Sequence, residues 1–535
     1  MMMQILPRVV RQKTGTPRTP DVLDDLRTVH KGDFMTILRT LFIASFVLTG
    51  WLPSAVAAQL PNIVIILVDD MGYGDPQCYN SESKIPTPHI DRLASAGMSF
   101  RDAHASGPLC HVSRYGLMTG CYPFRAPVGK WATQPTIRDD QLTVPQMLKQ
   151  AGYQTQMVGK WHLGFAENGY DQPLPGGPVD RGFDSFFGIR ASTDIPPYFY
   201  IRGNRAVTPP TDHIEARNTD GWSPIQGEFW RAGGIAPDLQ LKDVLPKFGD
   251  ESVQVIQEHA EQQKSASEAD RTPLMLYVAY PAPHTPWLPD EKFRNHSGAS
   301  MYGDFAMMVD DQVGRLLNAL DTAGMSGNTL VIFSSDNGPT WYEADVERFG
   351  HDCSGGLRGM KADAWEAGHR VPFIVRWPGV TKAGSVSQQL VSFVDVMATL
   401  ADVTKVSLPD DAAPDSFSFH DVLTGQRPES NPVRTELALQ SGSGFMTLRD
   451  RHWKLIQGLG SGGFSEPKRI RPQPGQPSGQ LYDLQSDLAE EHDQYAAQPD
   501  RVRLMSDRLR TIQESSGHRH LKTVTWSVTA SAMDV

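Results

Sequence analysis

The sequence predicts an α/β protein, a large and mainly parallel sheet flanked by helices, followed by a smaller α+β domain. Three observations predict it. Continuous apolar, β-branched runs such as Ile63 to Val68 recur, which is the pattern of strands covered on both faces. Helical patterns such as Thr143 to Gln150 and Tyr302 to Thr322 lie between them, as in βαβ units. Near Leu408–Pro414 the composition turns to Asp, Ala and Pro, and from about Arg434 short strands appear instead.

Taken in order, Pro61 to Val68 is the first strand and ends in Asp69-Asp70-Met71-Gly72. Thr87-Pro88 reads as an N-cap with proline at the first helical position, and that helix runs to about Ala96 with Gly97 as its stop. Tyr153 to Val158, Leu274 to Tyr280, Thr329 to Ser335 and Val371 to Arg376 are further strands, each running into a polar or Pro/Gly-rich stretch. Residues 190–240 look irregular, and Trp222, Phe229 and Trp230 there serve either substrate loops or packing. Gly444 to Arg449 and His452 to Ile456 are among the later strands, and Gln480-Leu481-Tyr482-Asp483-Leu484 comes further on. Gly458 to Gly479 is a Gly/Pro/Ser loop, and a terminal helix spans roughly Pro499 to Ser515.

With 535 residues the chain exceeds what one core usually serves. Arg39, the apolar run Leu41 to Leu52 and Ala55-Val56-Ala57-Ala58 have the order of a secretory signal peptide. The expected organisation is a signal over 1–58, a catalytic domain over 59–430 and the smaller domain over 431–535. Met35 starts a signal of ordinary length, so residues 1–34 are expected to reflect an upstream start codon. An exported protein, periplasmic or extracellular, follows, with no stable membrane span once the signal is cleaved. Without residues 1–58, which carry seven basic and four acidic side chains, the formal charge falls from −11 to −14. An acidic chain without a basic cluster excludes nucleic acid as the expected partner. Four cysteines are too few for a disulfide scaffold, and no zinc spacing occurs.

In an open α/β sheet, ligands bind beyond the carboxyl ends of the strands, and the polar residues fall there. Asp69, Asp70, Asp336 and Asn337 are oxygen donors at two strand ends, a set suited to a hard divalent cation, Ca²⁺ ahead of Mg²⁺. Asp310-Asp311 lies in a helical pattern and reads as a solvated face. Gly107-Pro108-Leu109 brings the chain to Cys110 at the head of a short helical run, with Arg114 four residues on. A helix N-terminus suits an anion. Lys160, His162, His284 and Lys361 add positive and proton-transferring groups. A cation, several basic groups and a nucleophile fit transfer of a sulfuryl or phosphoryl group, which relies on positioning and charge neutralisation.

These motifs resemble those of a sulfatase of the alkaline-phosphatase superfamily over nearly all of residues 61–510. The matching pieces are Pro61-Asn62-Ile63-Val64 with Asp69-Asp70, Cys110-x-x-Ser113-Arg114 with Leu117-Met118-Thr119-Gly120, and Gly159-Lys160-Trp161-His162-Leu163-Gly164. Pro283-His284-Thr285-Pro286, Ser335-Asp336-Asn337-Gly338, Leu357-Arg358-Gly359-x-Lys361 and Leu481-Tyr482-Asp483-Leu484 follow. The resemblance implies that a formylglycine-generating enzyme oxidises Cys110, and that the hydrated aldehyde attacks sulfur. It implies Ca²⁺ on Asp69, Asp70, Asp336 and Asn337, and sulfate binding by Arg114, Lys160 and Lys361. His284, with Lys361, would bind the substrate and protonate the leaving alcohol, and His162 would assist sulfate release. Val112 departs from the family motif, which has proline or sometimes alanine two residues after the cysteine. The expected substrate is a sulfated small molecule or glycan. Two other readings stay open at this point: a phosphomonoesterase or phosphodiesterase of the same superfamily, and a non-catalytic sulfated-glycan-binding protein that keeps Cys110 as a thiol.

Overall fold

Six consecutive apolar residues, Ile63 to Val68, need cover on both faces. In the computed structural model, which describes residues 60–267 and 270–523, they receive it at the middle of a ten-stranded sheet. In chain order the strands are β1 (Asn62–Asp69), β2 (Met98–His104), β3 (Gln154–Lys160), β4 (Ser185–Ile189), β5 (Ile201–Arg202) and β6 (Arg205–Ala206). A separate ribbon of β7 (Asp212–Ile214) and β8 (Gly233–Ile235) comes next, before β9 (Leu274–Pro283), β10 (Thr329–Ser335), β11 (Phe373–Arg376) and β12 (Ser385–Ser392). The sheet order is β12-β2-β11-β10-β1-β9-β3-β4-β5-β6. The expected signal segment lies outside the described residues.

Five strands, β10, β1, β9, β3 and β4, run parallel, so their carboxyl ends share one edge. Val68 pairs with Ser335, so Asp69-Asp70 and Asp336-Asn337 leave the sheet at one level. β2 was not anticipated, because Arg101, Asp102 and His104 break its apolar pattern. It is parallel to β12 and antiparallel to β11. β11 is in turn antiparallel to β10, so Trp377-Pro378-Gly379 leaves by the opposite edge. An apolar run carries no directional signal, which is why the sequence reading grouped it with the others.

The helices that position the site are α1 (Pro88–Ser95), α2 (Cys110–Thr119), α3 (Val144–Gln150), α4 (Val244–Ser265) and α5 (Ser300–Thr322). Thr143 and Gln146 form a reciprocal capping box at the start of α3. The expectation of a solvated Asp310-Asp311 face is corrected. Asp310 is buried and accepts hydrogen bonds from the His89 and Ile90 amides, 3.1 and 2.8 Å away, capping α1. Asp311 stays partly exposed and meets Lys292 at 3.2 Å. In the irregular stretch, Trp222 stacks on Phe349 and meets Trp287 edge-on, so it packs the interior.

The short helix α6 (Glu366–His369) lies between β10 and β11, and beyond the large sheet comes an antiparallel meander of β13 (Glu436–Gln440), β14 (Met446–Asp450), β15 (Trp453–Ile456) and β16 (Gln480–Asp483). The terminal helix α7 (Pro499–Glu514) buries Val502, Met505, Leu509 and Ile512, a spacing of three and four, in one apolar cluster with Leu437, Leu448 and Leu455. Tyr122 and Leu390, from the main body, share that cluster. Among the described residues, no helix is long and apolar enough to cross a membrane.

Candidate active site

β2 delivers the chain to the edge where the parallel strands end, and α2 begins there at Cys110. Its N-cap, Leu109, offers no capping side chain, so the first amides of the helix remain free for an anion. Gly120 ends the helix in the left-handed conformation. The Cys110 thiol lies 3.4 Å from Asp69 Oδ1 and 3.3 Å from Lys361 Nζ. Arg114, one turn along the same helix, donates to Asp336 Oδ2 from Nε and Nη2 at 3.0 and 2.7 Å, and to the Lys160 carbonyl from Nη1 at 3.0 Å.

Lys160 ends β3 and donates to Asp69 Oδ2. Gly159, just before it, has φ +116°, and a Cβ there would meet the Ala279 carbonyl oxygen at 2.0 Å. Lys361 Nζ donates to Asp70 Oδ1 at 2.6 Å, as does Asn337 Nδ2 at 2.6 Å. His284 follows β9 and donates from Nδ1 to the Thr285 carbonyl at 2.8 Å, leaving Nε2 3.7 Å from Asp70 Oδ2. His162 is buried just past Lys160, with its ring edge-on to Trp131 and 5.5 Å from His111. Neither ring nitrogen of His162 has a hydrogen-bond partner.

The electrostatics follow from burial and the packed charges. Burial raises the Asp69 carboxyl, but Lys160, His284, Arg114 and Lys361 outweigh it and hold it well below the usual range. Burial and then Asp69 raise Asp336, against the pull of Arg114 and Lys160. Burial lowers Lys361, but Asp70, Cys110, Asp69 and Asp336 overcome it and keep the ammonium charged. Burial and then Lys160 push His162 far down, so it is a neutral imidazole, and the same two causes bring His111 to about 3. Burial raises the Cys110 thiol, reinforced by Asp336 and Asp69, so this cysteine is a poor thiolate.

The ten residues singled out from sequence meet at this edge, although Asp69 and Lys361 are almost three hundred positions apart. Sequence reasoning missed Thr340, whose hydroxyl is 3.3 Å from Asp70 Oδ2, and Asp194, whose Oδ1 is 3.8 Å from His284 Nδ1. It also missed Trp131 and His111 around His162. Thr340 sits three residues past Asn337 and was within reach of that motif. Nothing local marks Trp131 or Asp194.

The donor set fits a hard cation. Two of its oxygen donors, Asp69 and Asp70, bring carboxylate oxygens within 4.8 Å of each other, beside Cys110 and His284. The Asn337 amide oxygen is buried and has no hydrogen-bond partner, a costly arrangement unless something is bound. The family model for sulfatases matches residues 61–406. The chain belongs to the sulfatase family. This sulfatase is 32% identical over 499 residues to an N-acetylgalactosamine-6-O-sulfatase of Bacteroides thetaiotaomicron, covering 85% of this chain and 94% of the relative. Human arylsulfatase A is 33% identical over 380 residues, 70% of each chain. A solved structure from work on metabolism of multiple glycosaminoglycans by Bacteroides thetaiotaomicron superposes with a TM-score of 0.74 at 31% identity, covering 86% of this sulfatase and 100% of that chain. The sulfatase is therefore a hydrolase of sulfate esters, with the alkaline-phosphatase-like fold expected from its motifs.

Proposed function

We propose that this sulfatase cleaves sulfate monoesters of carbohydrates, and aryl sulfates as simpler substrates, with formylglycine made from Cys110 and one divalent cation, Ca²⁺ ahead of Mg²⁺. The observation that carries this reading is the place of Cys110: the first residue of an uncapped helix, 3.3 Å from Lys361 Nζ and 3.4 Å from an Asp69 oxygen. The carbohydrate preference rests on the relative named as an N-acetylgalactosamine-6-O-sulfatase. Asp69, Asp70, Asp336 and Asn337 would hold the cation, and the orphaned Asn337 oxygen supports it. When present, the cation neutralises sulfate charge and the hydrated aldehyde supplies a hydroxyl directed at sulfur.

The chain's own groups do the rest. Arg114 fixes Asp336 and the Lys160 carbonyl, which keeps the strand ends in register. Lys160 and Lys361 offset the charge that builds on the sulfate oxygens. His284 donates from Nδ1 to a carbonyl, so a second proton on Nε2 is the one available to the departing alcohol as its bond to sulfur breaks. His162, neutral and with both nitrogens free, accepts a proton in the later step that releases sulfate.

Cys110 is only 4% exposed, so a modifying enzyme has to reach it before the chain folds. That agrees with a protein modified by a formylglycine-generating enzyme on its way out of the cytoplasm, to periplasm or medium. The test is the mass of the Cys110 peptide from protein made in its own host, with hydrazine trapping of the aldehyde. Turnover of 4-nitrophenyl sulfate is measured beside 4-nitrophenyl phosphate. An aldehyde together with preferential sulfate turnover is the expected result. A free thiol in protein that still turns over sulfate refutes the formylglycine mechanism, and faster phosphate turnover refutes the substrate class.

A further inference from the structure

The turn that carries Asp70 is held by side chains that the reaction does not use. Asp70 has φ +64°, a conformation unusual for a residue with a side chain. Its carbonyl is 3.1 Å from the Tyr302 hydroxyl, the Met71 amide donates to Ser335 Oγ at 2.9 Å, and the Gly72 amide donates to Asp75 Oδ2 at 2.6 Å. Tyr302 also donates to Asp75 Oδ2. The other Asp75 oxygen is 2.9 Å from His351 Nε2. His351 Nδ1 accepts from the Lys84 amide at 3.3 Å, so Nε2 carries the ring proton and donates. Asp75, Tyr302 and His351 are all fully buried, or nearly so, and belong to three separate parts of the chain.

Asp75, His351 and Cys353 also lie close enough together to be metal ligands. Their hydrogen bonds argue otherwise: both nitrogens of His351 and both oxygens of Asp75 already have partners within the protein. The cluster is therefore a brace. A carboxylate that accepts from a backbone amide, a phenol and an imidazole fixes its neighbours in one arrangement.

We propose that Asp75, with Tyr302 and His351, is a positioning residue for the divalent-cation site, locking the Asp70 turn so that its carboxylate stays beside those of Asp69 and Asp336. This rests on the cation reading given above. Groups behind metal ligands typically tune metal affinity by about 10- to 100-fold. The test is Ca²⁺ titration by calorimetry of the chelator-treated full chain, with Tb³⁺ luminescence as a second readout. Wild type is compared with Asp75→Asn and with Tyr302→Phe, which keeps the ring packing against Trp287 and Trp341. The expected result is Ca²⁺ affinity weaker by about 10- to 100-fold in Asp75→Asn and by a smaller factor in Tyr302→Phe. Raising Ca²⁺ restores kcat on 4-nitrophenyl sulfate, with KM unchanged at saturation.

Unchanged Ca²⁺ affinity in both variants, with only a lowered Tm, overturns the proposal and leaves the cation reading standing. If Asp75→Asn does not fold, Tyr302→Phe decides by the same criterion. A wild type that binds neither Ca²⁺ nor Tb³⁺ overturns the cation reading itself, and the positioning role with it.

Discussion

Replacing Lys454 by methionine removes the charge at the centre of a buried seam while nearly keeping side-chain length. Lys454 Nζ lies 3.1 Å from Glu366 Oε1, 2.9 Å from Glu490 Oε1 and 3.3 Å from His369 Nε2, and none of the three charged side chains reaches solvent. Asp102, Arg370 and Arg449 complete the seam, which joins β2 and α6 of the main body to β14 and β15. Breaking a buried pair by removing one partner costs about 3–5 kcal/mol, because the other charge is left uncompensated. At about 2.1 cal/mol/K per residue, an unfolding unit of several hundred residues has an entropy of roughly 1 kcal/mol/K, so Tm falls by about 3–5 °C. Burial pushes the Glu490 carboxyl up to about 7 against the pull of Lys454. The unfolded chain ionises it near about 4.3, so this group's contribution to stability declines as pH rises from there towards 7. Without Lys454 the decline extends to higher pH, and the variant's deficit is larger at pH 8 than at pH 6. Scanning calorimetry at both values, with Ca²⁺ held constant, measures it. A Tm within 1 °C of wild type at pH 8, or a deficit that grows on acidification, refutes the reasoning.

The remaining predictions concern the site. Val112 is the third residue of α2, whose amide makes no intrahelical bond, so Val112→Pro keeps the helix and raises the fraction of Cys110 found as aldehyde by peptide mass. An unchanged or lower fraction goes against it. His162→Ala lowers kcat on 4-nitrophenyl sulfate by about 10²–10⁴ if it moves a proton in the release step, and pre-steady-state kinetics with substrate in excess show a burst of 4-nitrophenol followed by a slow phase. Gly159→Ala loses at least about 2 kcal/mol of stability, because its φ of +116° and the Ala279 carbonyl leave no place for a methyl group. Thermal unfolding reports that loss, and full stability would mean the backbone moves aside.

The parallel centre of the sheet was legible because Ile63–Val68, Leu274–Tyr280 and Thr329–Ser335 are covered on both faces, and such strands carry continuous apolar runs. β2 was illegible for a physical reason. Asp102 and His104 sit inside it because Arg449 and His369, hundreds of residues away, satisfy them. Asp310 misled in the same way: a helix-face carboxylate looks solvated until another helix presents its free amides to it. The site was legible by residue type at strand ends, since carboxylates and an amide without thiolates point to one kind of ion. Asp194 and Trp131 enter through the folding of loops, and local sequence carries no mark of that, whereas Thr340 lies just past the Asp336-Asn337 motif.

Burial alone does not separate the seam from the active site. Both hold carboxylates, histidines and cations that are almost wholly inaccessible. Charge pairing separates them more sharply. In the seam, Lys454 lies against two carboxylates and an imidazole, and Arg449 against Asp102 and Glu366, so Arg449 Nε and Glu490 Oε1, which lack a hydrogen bond, still belong to paired charges. At the strand ends, both nitrogens of His162 and the amide oxygen of Asn337 are buried with neither a hydrogen bond nor an ion pair. Leaving such groups unmet costs about 1–3 kcal/mol each, a price folding alone has no reason to sustain in one small region. Neutral groups left so at the strand ends are what a site looks like when it is built to be completed by a cation, an anion and a transferred proton. The same contrast explains why Asp75, fully partnered though it adjoins the site, is assigned to bracing the turn rather than to the chemistry.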